Sequence, residues 1–482
     1  MTAETMPQTG DMPTREGDLT IESHGMEPIP EGARYGSVNR VFTVWFTPNL
    51  VPAAFFIGLL ASAEFLQVGF VTGLAAIVVG NVIGAAVVGV LAQMGPRTGM
   101  AQLPVARLPF GKTIVLPGLL NWVSCIGWDG VNSVFGAAAI SILTGLDFII
   151  ALVIIVVFQA ALGIIGHEAI HSFEKWMAVV LGVMFVAVSV SIFSQASTGM
   201  ARTDGFTGLD QLGAFVLYAS ITASFVLAWG LYASDYTRYL PSDASSSRIF
   251  WWTVLGLSIG SGWIEALGLL VADQATAGGA VDTINTLLSG SFLAPLAMLA
   301  IGIGTVAVNA MNDYTGSLSL LAAGVRVPRV ASAAVVAVLA FFFTLYLNSG
   351  DFTTKFESYL LFVLYWVAAW AGVVIADWWK RGRKADVSML ANFSNLAFGW
   401  QGLVALLVGY LASIPFQTSD YGYELAITIP IFNAWSDELH YADIAFLVGF
   451  AVSFVVYWII GRTASTASET STTSESSAST AA

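Results

Sequence analysis

The segment Trp45-Phe-Thr-Pro-Asn-Leu-Val-Pro52 interrupts the first long apolar stretch of the chain. Its two prolines, Pro48 and Pro52, stand four residues apart with Asn49 between them. A proline lacks a backbone N–H and leaves a carbonyl without its helical partner, so the segment predicts a helix that breaks here. The freed carbonyls and the Asn49 side chain are candidates for facing a cation. A kinked but continuous helix is the alternative.

Around this segment the whole chain is apolar. Of its 482 residues, 56% are hydrophobic and only 10% are charged, and the mean hydropathy is +0.77. A soluble domain carries roughly a quarter charged residues, so the composition excludes a soluble enzyme as well as a disordered or fibrous chain. The apolar residues come in blocks of about 20, the helix length that crosses hydrocarbon. The sequence therefore predicts an all-α polytopic membrane protein.

Twelve spans are predicted, and all of them are helices because lipid cannot satisfy exposed backbone groups. Their approximate bounds are 42–66, 68–94, 113–145, 147–166, 176–194, 212–234, 249–273, 291–323, 328–348, 356–379, 398–417 and 441–461. Sixteen of the 18 Lys and Arg residues then fall in segments on one side, leaving Arg202 and Lys355 on the other. The positive-inside rule assigns the basic side to the cytoplasm. We expect a plasma (inner) membrane protein with both termini cytoplasmic.

The spans also divide the chain into segments. The sixth span packs Ser, Thr and Gly into its middle, over residues 220–235, and is predicted to be the broken counterpart of the first span in a second repeat. The expected segments are a disordered cytoplasmic N-terminal tail at 1–40, five-helix repeats at 41–194 and 212–379, two peripheral helices at 398–461, and a disordered cytoplasmic C-terminal tail at 462–482.

The centre of the third span carries polar and aromatic groups. Trp128 and Asn132 are four residues apart and share a helical face, which suits a flat heterocycle that stacks on the indole and hydrogen-bonds to the amide. Asp129 lies near the bilayer midplane, where an ionisable group favours a functional interpretation. Three roles remain open for this carboxyl: binding a ligand N–H, taking a coupling proton, or being held by Asn132 or Ser133.

The eighth span supplies a second polar face. Thr305, Asn309 and Asn312 follow each other at spacings of four and three residues. The two amides offer donors and acceptors to a ring that has both, and the hydroxyl could complete an oxygen cage for sodium. An interhelical hydrogen-bond seam is the structural alternative. In the seventh span, Glu265 is a further candidate for proton coupling.

Several motifs resemble the purine–cytosine permease branch of the nucleobase:cation symporter-1 family. They cover the chain except for its tails: Gly95-Pro-Arg-Thr-Gly99, Arg107-Leu-Pro-Phe-Gly111, Gly127-Trp128 with Val131-Asn132, Tyr232-Ala-Ser-Asp-Tyr-Thr-Arg-Tyr-Leu-Pro241, the Trp45-Phe-x-x-Asn49 start, and Asn309-x-x-Asn312-x-Tyr314. The resemblance implies a LeuT-like fold with a 5+5 inverted repeat and two peripheral helices. It also implies import of a nucleobase, cytosine or a purine, coupled to a proton or sodium ion by alternating access.

The same resemblance implies which residues bind the base. The base stacks between Trp128 and an aromatic of the sixth span, either Phe225 or Trp229. Asn309 and Asn312 match amides that contact the base, and Asn132 joins them in reading its edge. Family members that use sodium hold it between carbonyls of the first-span break and oxygens of the eighth span. Only Thr305 offers a hydroxyl there, which favours protons. At the position of Asp129, the resemblance leads us to expect an uncharged residue in many relatives, so this chain differs from the family pattern there.

Two rival interpretations were weighed against this one. His167-Glu168-Ala-Ile-His171 reads as the zinc site of an HExxH metalloprotease, but a third protein ligand is lacking, since only His24 and His440 remain. The second rival keeps the fold and changes the cargo to hydantoin, allantoin, a vitamin, another heterocycle or an amino acid.

The remaining expectations are absences. A single cysteine, Cys125, forbids an internal disulfide, and no cofactor beyond the coupling ion is expected. Basic residues do not cluster with aromatics, so nucleic acid is not expected as a partner. The expected partners are the heterocycle and the lipid bilayer, and no obligatory protein partner is evident. The prediction is a transporter and not an enzyme.

Overall fold

The structure is a computed structural model, and it describes residues 26–165, 167–195, 198–275, 279–325, 329–388 and 390–462. Over these residues the chain is helical and forms no β-strand. The first nine helices are α1 (Arg40–Phe46), α2 (Pro52–Leu59), α3 (Phe70–Ala92), α4 (Met94–Thr98), α5 (Gln102–Phe110), α6 (Val115–Thr144), α7 (Phe148–Ile165), α8 (His167–Phe193) and α9 (Gly208–Leu227). The others are α10 (Ala233–Thr237), α11 (Ser246–Leu270), α12 (Gly279–Leu287), α13 (Leu293–Ala322), α14 (Arg329–Asn348), α15 (Phe352–Lys380), α16 (Trp400–Ser413), α17 (Asp420–Ala426) and α18 (Ala445–Ile460).

The helices agree with the predicted membrane architecture. Among the described residues, seven helical segments are long and apolar enough to cross a bilayer, and the bent pair α1–α2 makes an eighth. Four shorter apolar helices lie within α7, α14, α16 and α18. Each of the twelve predicted spans overlaps one of these segments. The all-α class is confirmed, whereas the count of twelve crossings stays a prediction.

The first span is broken where its prolines stand. After α1 a short 3₁₀ turn, Thr47–Asn49, leads into an extended Val51, and Pro52 opens α2. The two halves meet at an angle of 64°. Both halves pack against α11, where glycines let the backbones approach: a Cβ on Gly260 would lie 2.7 Å from the Phe46 carbonyl oxygen, and one on Gly268 would lie 2.1 Å from that of Phe55. The α11 helix therefore braces the break from both sides.

The sixth span is interrupted more mildly. Between α9 and α10 the chain changes to a 3₁₀ segment, Ala228–Tyr232, without a sharp bend. This segment has no proline, and Tyr232 leaves the helical region with φ −117° and ψ 1°. A tighter 3₁₀ turn changes the directions of side chains within one helical turn. The predicted interruption is thus present, as a change of helix type and not as a wide gap.

Part of the predicted N-terminal tail is packed. Residues 26–40 belong to the described chain: Ile29 is buried, and the Arg34 guanidinium donates to the carbonyl oxygen of Pro96 at 2.6 Å. Outside the membrane-spanning segments, hydrogen bonds from Ser242 lower the pKa of Glu31. The prediction of disorder up to residue 40 therefore extended too far, because the tertiary contacts of this polar stretch leave no hydropathy signal. Residues 1–25 and 463–482, which hold the rest of both predicted tails, lie outside the described residues.

Hydrogen bonds hold the helices after residue 398 against α15. Asp443, just before α18, is fully buried and accepts hydrogen bonds from the Tyr365 hydroxyl and from the backbone and hydroxyl of Thr418. At the other end of α18, Tyr457 donates to Asp377 at 2.7 Å. Buried carboxylates with several donors hold such contacts firmly. The division into two repeats and a peripheral pair stays a prediction.

Candidate functional site

A cavity of about 460 Å³ lies beside the break in the first span. Four elements converge on it: the break itself, the middle of α6, the end of α9 with its 3₁₀ turn, and the middle of α13. The lining residues are Pro48, Val51, Trp128, Asn132, Phe225, Ala228, Trp229, Tyr232, Val308 and Asn312. Five of the six predicted substrate-binding residues are among them.

Aromatic rings form the walls of this cavity. The Trp128 ring packs at a steep angle against Phe225 and Tyr359, with centroid distances of 5.8 and 5.4 Å and interplanar angles of 73° and 83°. Such edge-to-face contacts hold the indole in place, and neither neighbouring ring stacks in parallel on its flat face. Phe225 and Trp229 both line the cavity, and which of them stacks on the substrate stays a prediction with both alternatives open.

Asn49 orients the second indole. Its side-chain oxygen accepts from Nε1 of Trp229 at 3.1 Å, and its amide nitrogen donates to the Trp45 carbonyl at 2.6 Å. Asn49 is fully buried, so neither bond competes with solvent. The residue predicted as an ion-coupling candidate is therefore engaged through both ends of its amide in holding Trp229 beside the break.

This contact gives a first prediction. We expect Asn49→Ala and Trp229→Phe each to weaken substrate binding by about 5- to 10-fold, because each removes the hydrogen bond that orients the ring, worth about 1 kcal/mol. The double variant should bind no more weakly than the worse single variant, since both changes remove the same bond. Binding isotherms of the four purified proteins measure this. Fully additive losses would contradict the positioning role of Asn49.

The amides divide into two groups. Asn132 and Asn312 line the cavity. Asn309 is fully buried behind the wall of the cavity and does not line it. Its Nδ2, which carries two hydrogens, lies within hydrogen-bond distance of three oxygens: the backbone oxygen of Asp129 (3.2 Å), Ser133 Oγ (3.0 Å) and Gln159 Oε1 (3.0 Å). The predicted contact of Asn309 with the substrate is therefore corrected to a place in the seam between α13, α6 and α7.

Two buried carboxyls stand next to this seam. Gln159 on α7 donates through Nε2 to Asp129 at 2.9 Å and to Asp313 at 3.1 Å. Asp129 is thus not held by the side chain of Asn132 or Ser133, as one sequence alternative had it: the hydrogen-bond partner of its carboxyl is Gln159. No pattern in the sequence indicated that Gln159 and Asp313 belong to this hydrogen-bonded cluster. A lone glutamine in the apolar fourth span was the available signal, because a polar residue there needs a partner.

The last two ion-coupling candidates lie apart from the main cavity. Thr305 lines a neighbouring cavity of about 270 Å³ together with Val51 and Pro52, and its hydroxyl is 3.5 Å from the Asn132 carbonyl oxygen. Glu265 on α11 is fully buried, and it accepts from Nδ2 of Asn81 at 2.5 Å. It does not line either cavity.

The comparisons with known proteins agree with this geometry. The sequence profile of a family described as "Permease for cytosine/purines, uracil, thiamine, allantoin" matches residues 28–461. The chain belongs to this permease family. Relatives include the purine-cytosine permease fcyB of Emericella nidulans, 24% identical over 459 residues that cover 86% of this chain and 88% of that protein, and the purine-cytosine permease FCY2 of Saccharomyces cerevisiae, 24% identical with coverages of 92% and 86%. The vitamin B6 transporter TPN1 of S. cerevisiae is 23% identical over 73% of this chain and 64% of that protein.

Solved structures establish the fold of this permease. The transporter Mhp1 of the nucleobase-cation-symport-1 family, solved in a closed conformation with bromovinylhydantoin bound, superposes with a TM-score of 0.69 at 17% identity, covering 92% of this chain and 95% of Mhp1. The fold is therefore LeuT-like, as the sequence motifs implied. The predicted family is confirmed, and with it the prediction of a multi-pass membrane transporter that is not an enzyme.

The zinc-protease interpretation of this permease is accordingly wrong. His167-Glu168-Ala-Ile-His171 opens α8, but its side chains and His24 lie outside the described residues. His440 pairs with Asp210, at 2.6 Å. Within the part of the chain whose side chains are described, no three His, Cys, Asp or Glu residues converge as metal ligands. Membership of the permease family is what excludes the protease.

Proposed function

We propose that this permease imports an uncharged planar heterocycle, a nucleobase such as cytosine or a purine, at the cavity between α6 and α13. The observation that carries the proposal is the cavity itself, which combines two indoles, Trp128 and Trp229, with two amides, Asn132 and Asn312. Flat rings gain contact by stacking on indoles, and an amide offers both a donor and an acceptor to the edge of the ring. The names of the purine-cytosine permeases among the relatives support the same substrate class.

The lining also argues against a charged substrate. None of its residues is a carboxylate or a cation, and Tyr232 is the only titratable one. An amino acid would need a counter-charge or a helix N-terminus for its carboxylate and an anionic partner for its ammonium group. The amino-acid alternative is therefore the weakest of the rivals. Hydantoin, allantoin and a vitamin meet the same two requirements, a flat ring and polar groups at its edge. The binding experiment distinguishes them from a nucleobase.

Transport would follow from alternating access around this cavity. We propose that the repeats at 41–194 and 212–379 rock against each other, with both termini in the cytoplasm and the protein in the plasma (inner) membrane. The coupling ion is a proton or sodium. For sodium, Thr305 supplies one hydroxyl beside Val51 and Pro52, whereas the other side chains around that smaller cavity are apolar except Asn132. A hard cation prefers several oxygen ligands, so this arrangement favours the proton.

A screen of the purified full-length protein tests the substrate class. Cytosine, adenine, hypoxanthine, uracil, allantoin, benzylhydantoin and pyridoxine are each added while tryptophan fluorescence is recorded, with and without sodium. We expect cytosine or a purine to give saturable quenching that does not depend on sodium. Uptake into proteoliposomes, with protein-free liposomes as the control, then shows that the bound compound is carried. Saturable binding of only pyridoxine, allantoin or the hydantoin would overturn the nucleobase assignment.

A further inference from the structure

We infer that Asp129, Gln159 and Asp313 form the proton site of this permease, with the two carboxyls sharing one proton that enters and leaves with each substrate. The inference rests on the proposed function and deepens it by naming the coupling ion and the residues that carry it. The three side chains come from α6, α7 and α13, and they meet behind the wall of the substrate cavity.

The orientation of the Gln159 amide is determined by its neighbours. Its oxygen accepts from Asn309 Nδ2 at 3.0 Å, so its nitrogen faces the two carboxyls and donates one hydrogen to each. The opposite orientation would turn an acceptor oxygen toward two acceptors and leave Asn309 facing a second donor. A single amide group therefore holds Asp129 and Asp313 within a few ångströms of each other.

Two ionised carboxylates at this distance would repel strongly. Asp129 and Asp313 are 0% and 1% exposed. Their side chains make no ion pair with Lys, Arg or His among the described side chains, which do not include those of residues 163–175 and 326–330. Among the described side chains, the other titratable groups that face the pair are Cys125 on α6 and Tyr359 on α15, a thiol and a phenol that carry no charge in their ordinary protonation state. In a low-dielectric interior, like charges this close hold a proton between them.

A second, independent observation is an excess of acceptors. One carboxyl oxygen of Asp129 and one of Asp313 are buried and have no hydrogen-bond donor in the described structure. Asn309, which is 0% exposed and whose amide nitrogen points into the same cluster, also has an oxygen without a donor. A proton on either carboxyl turns an acceptor into a donor and lowers the charge of the pair from −2 to −1. No other bond has to change.

The pair is linked to the substrate cavity by adjacent residues. Asp129 follows Trp128, and Asp313 follows Asn312, so each carboxyl is one residue away from a cavity-lining side chain. The Asn312 side chain also lies next to Asp129, and its amide nitrogen has no hydrogen-bond partner in the described structure. A base that engages Asn312 therefore changes the surroundings of the shared proton. Reciprocal coupling between proton and substrate follows from this linkage.

Proteoliposomes test the inference with two readouts of the same protein. The first is accumulation of labelled cytosine or adenine driven by an imposed pH gradient without sodium, and the second is exchange of labelled for unlabelled base at equal pH. We expect Asp129→Asn and Asp313→Asn each to lower the accumulation ratio to about one while exchange persists. Asp386→Asn, which changes an exposed loop carboxylate, should keep both activities. A merely structural role would reduce exchange together with accumulation.

The wild-type protein provides a test that does not depend on the variants folding. A pH dye inside the vesicles should report one proton for each base taken up, and uptake should carry net positive charge. Uptake of base without proton movement, or uptake driven by a sodium gradient alone, would overturn the inference while leaving the proposed function intact.

If neither base is carried, the proposed function fails, and the shared proton is still tested by infrared absorption. A band from a buried protonated carboxyl should then appear in the wild type and change in both variants. Absence of that band would overturn the proton site as well.

Discussion

Replacing Trp128 by alanine is expected to weaken binding of the heterocycle by roughly 5- to 150-fold. The estimate follows from base–aromatic stacking, which contributes about 1–3 kcal/mol per base when an aromatic side chain is truncated. Trp128 lines the cavity, and the edge-to-face contacts of its ring with Phe225 and Tyr359 hold it in place. Its removal also takes away one packing partner of each of those two rings. Uptake should then no longer saturate over the concentration range that saturates the wild type.

Two further variants separate stacking from general damage. Trp128→Phe keeps a flat ring and should recover most of the lost affinity. Trp251→Ala removes an indole that is 57% exposed on α11 and does not line the cavity, so its uptake should match the wild type. Each protein is compared at equal amounts in the membrane. Wild-type affinity in Trp128→Ala would show that the substrate does not stack on this ring.

Of the substitutions discussed, Arg107→Met is expected to have the largest effect on stability. It should lower the free energy of unfolding by about 3–5 kcal/mol. Arg107 on α5 is 2% exposed, and its guanidinium donates to the backbone oxygens of four residues. Two are the last carbonyls of α13, at Leu321 (3.2 Å) and Ala322 (2.7 Å), and two belong to the loop after α15, at Leu390 (2.5 Å) and Ala391 (3.2 Å). Methionine fills similar volume but donates nothing, so these carbonyls lose their charged donor.

The midpoint of thermal unfolding in detergent and the yield of monodisperse protein measure this effect. Arg107→Lys should fall between wild type and Arg107→Met, because an ammonium group cannot reproduce the planar fork that spans the helix end and the loop. Arg97→Met is the matched control, since Arg97 is exposed and reaches Ser246 at 3.5 Å. An Arg107→Met protein that unfolds at the wild-type temperature would contradict the capping role.

Local features of the sequence were sufficient for the all-α membrane class, for the break in the first span and for several residues that line the cavity. The broken first span was predicted from Pro48 and Pro52, and the bend of 64° lies there. The pairing of Trp128 with Asn132 followed from four-residue spacing, and both residues line the cavity. These features are determined by residues near each other in the chain, through hydropathy, missing donors and helical periodicity.

Contacts between distant residues were the part that the sequence did not supply. Gln159 lies 30 residues from Asp129 and 154 residues from Asp313, and nothing in its own neighbourhood indicates that it bridges them. The contacts of Arg34 with α4 and of Ile29 with Gly99 at its end were missed for the same reason. The spacing of residues along one helix does not indicate which other helix packs against it.

The sequence by itself determined that this protein is a bundle of membrane helices, where its first helix breaks, and which aromatic and amide residues lie in the middle of the third and eighth spans. Only the tertiary structure decided which of those residues meet the cavity. Asn309 and Asn312 are three residues apart, which places their side chains about 60° from each other around α13. The rotation of α13 against α6 and α7 turns Asn312 to the cavity and Asn309 to the seam. That rotation depends on side-chain packing across helices, and no property of α13 alone can determine it.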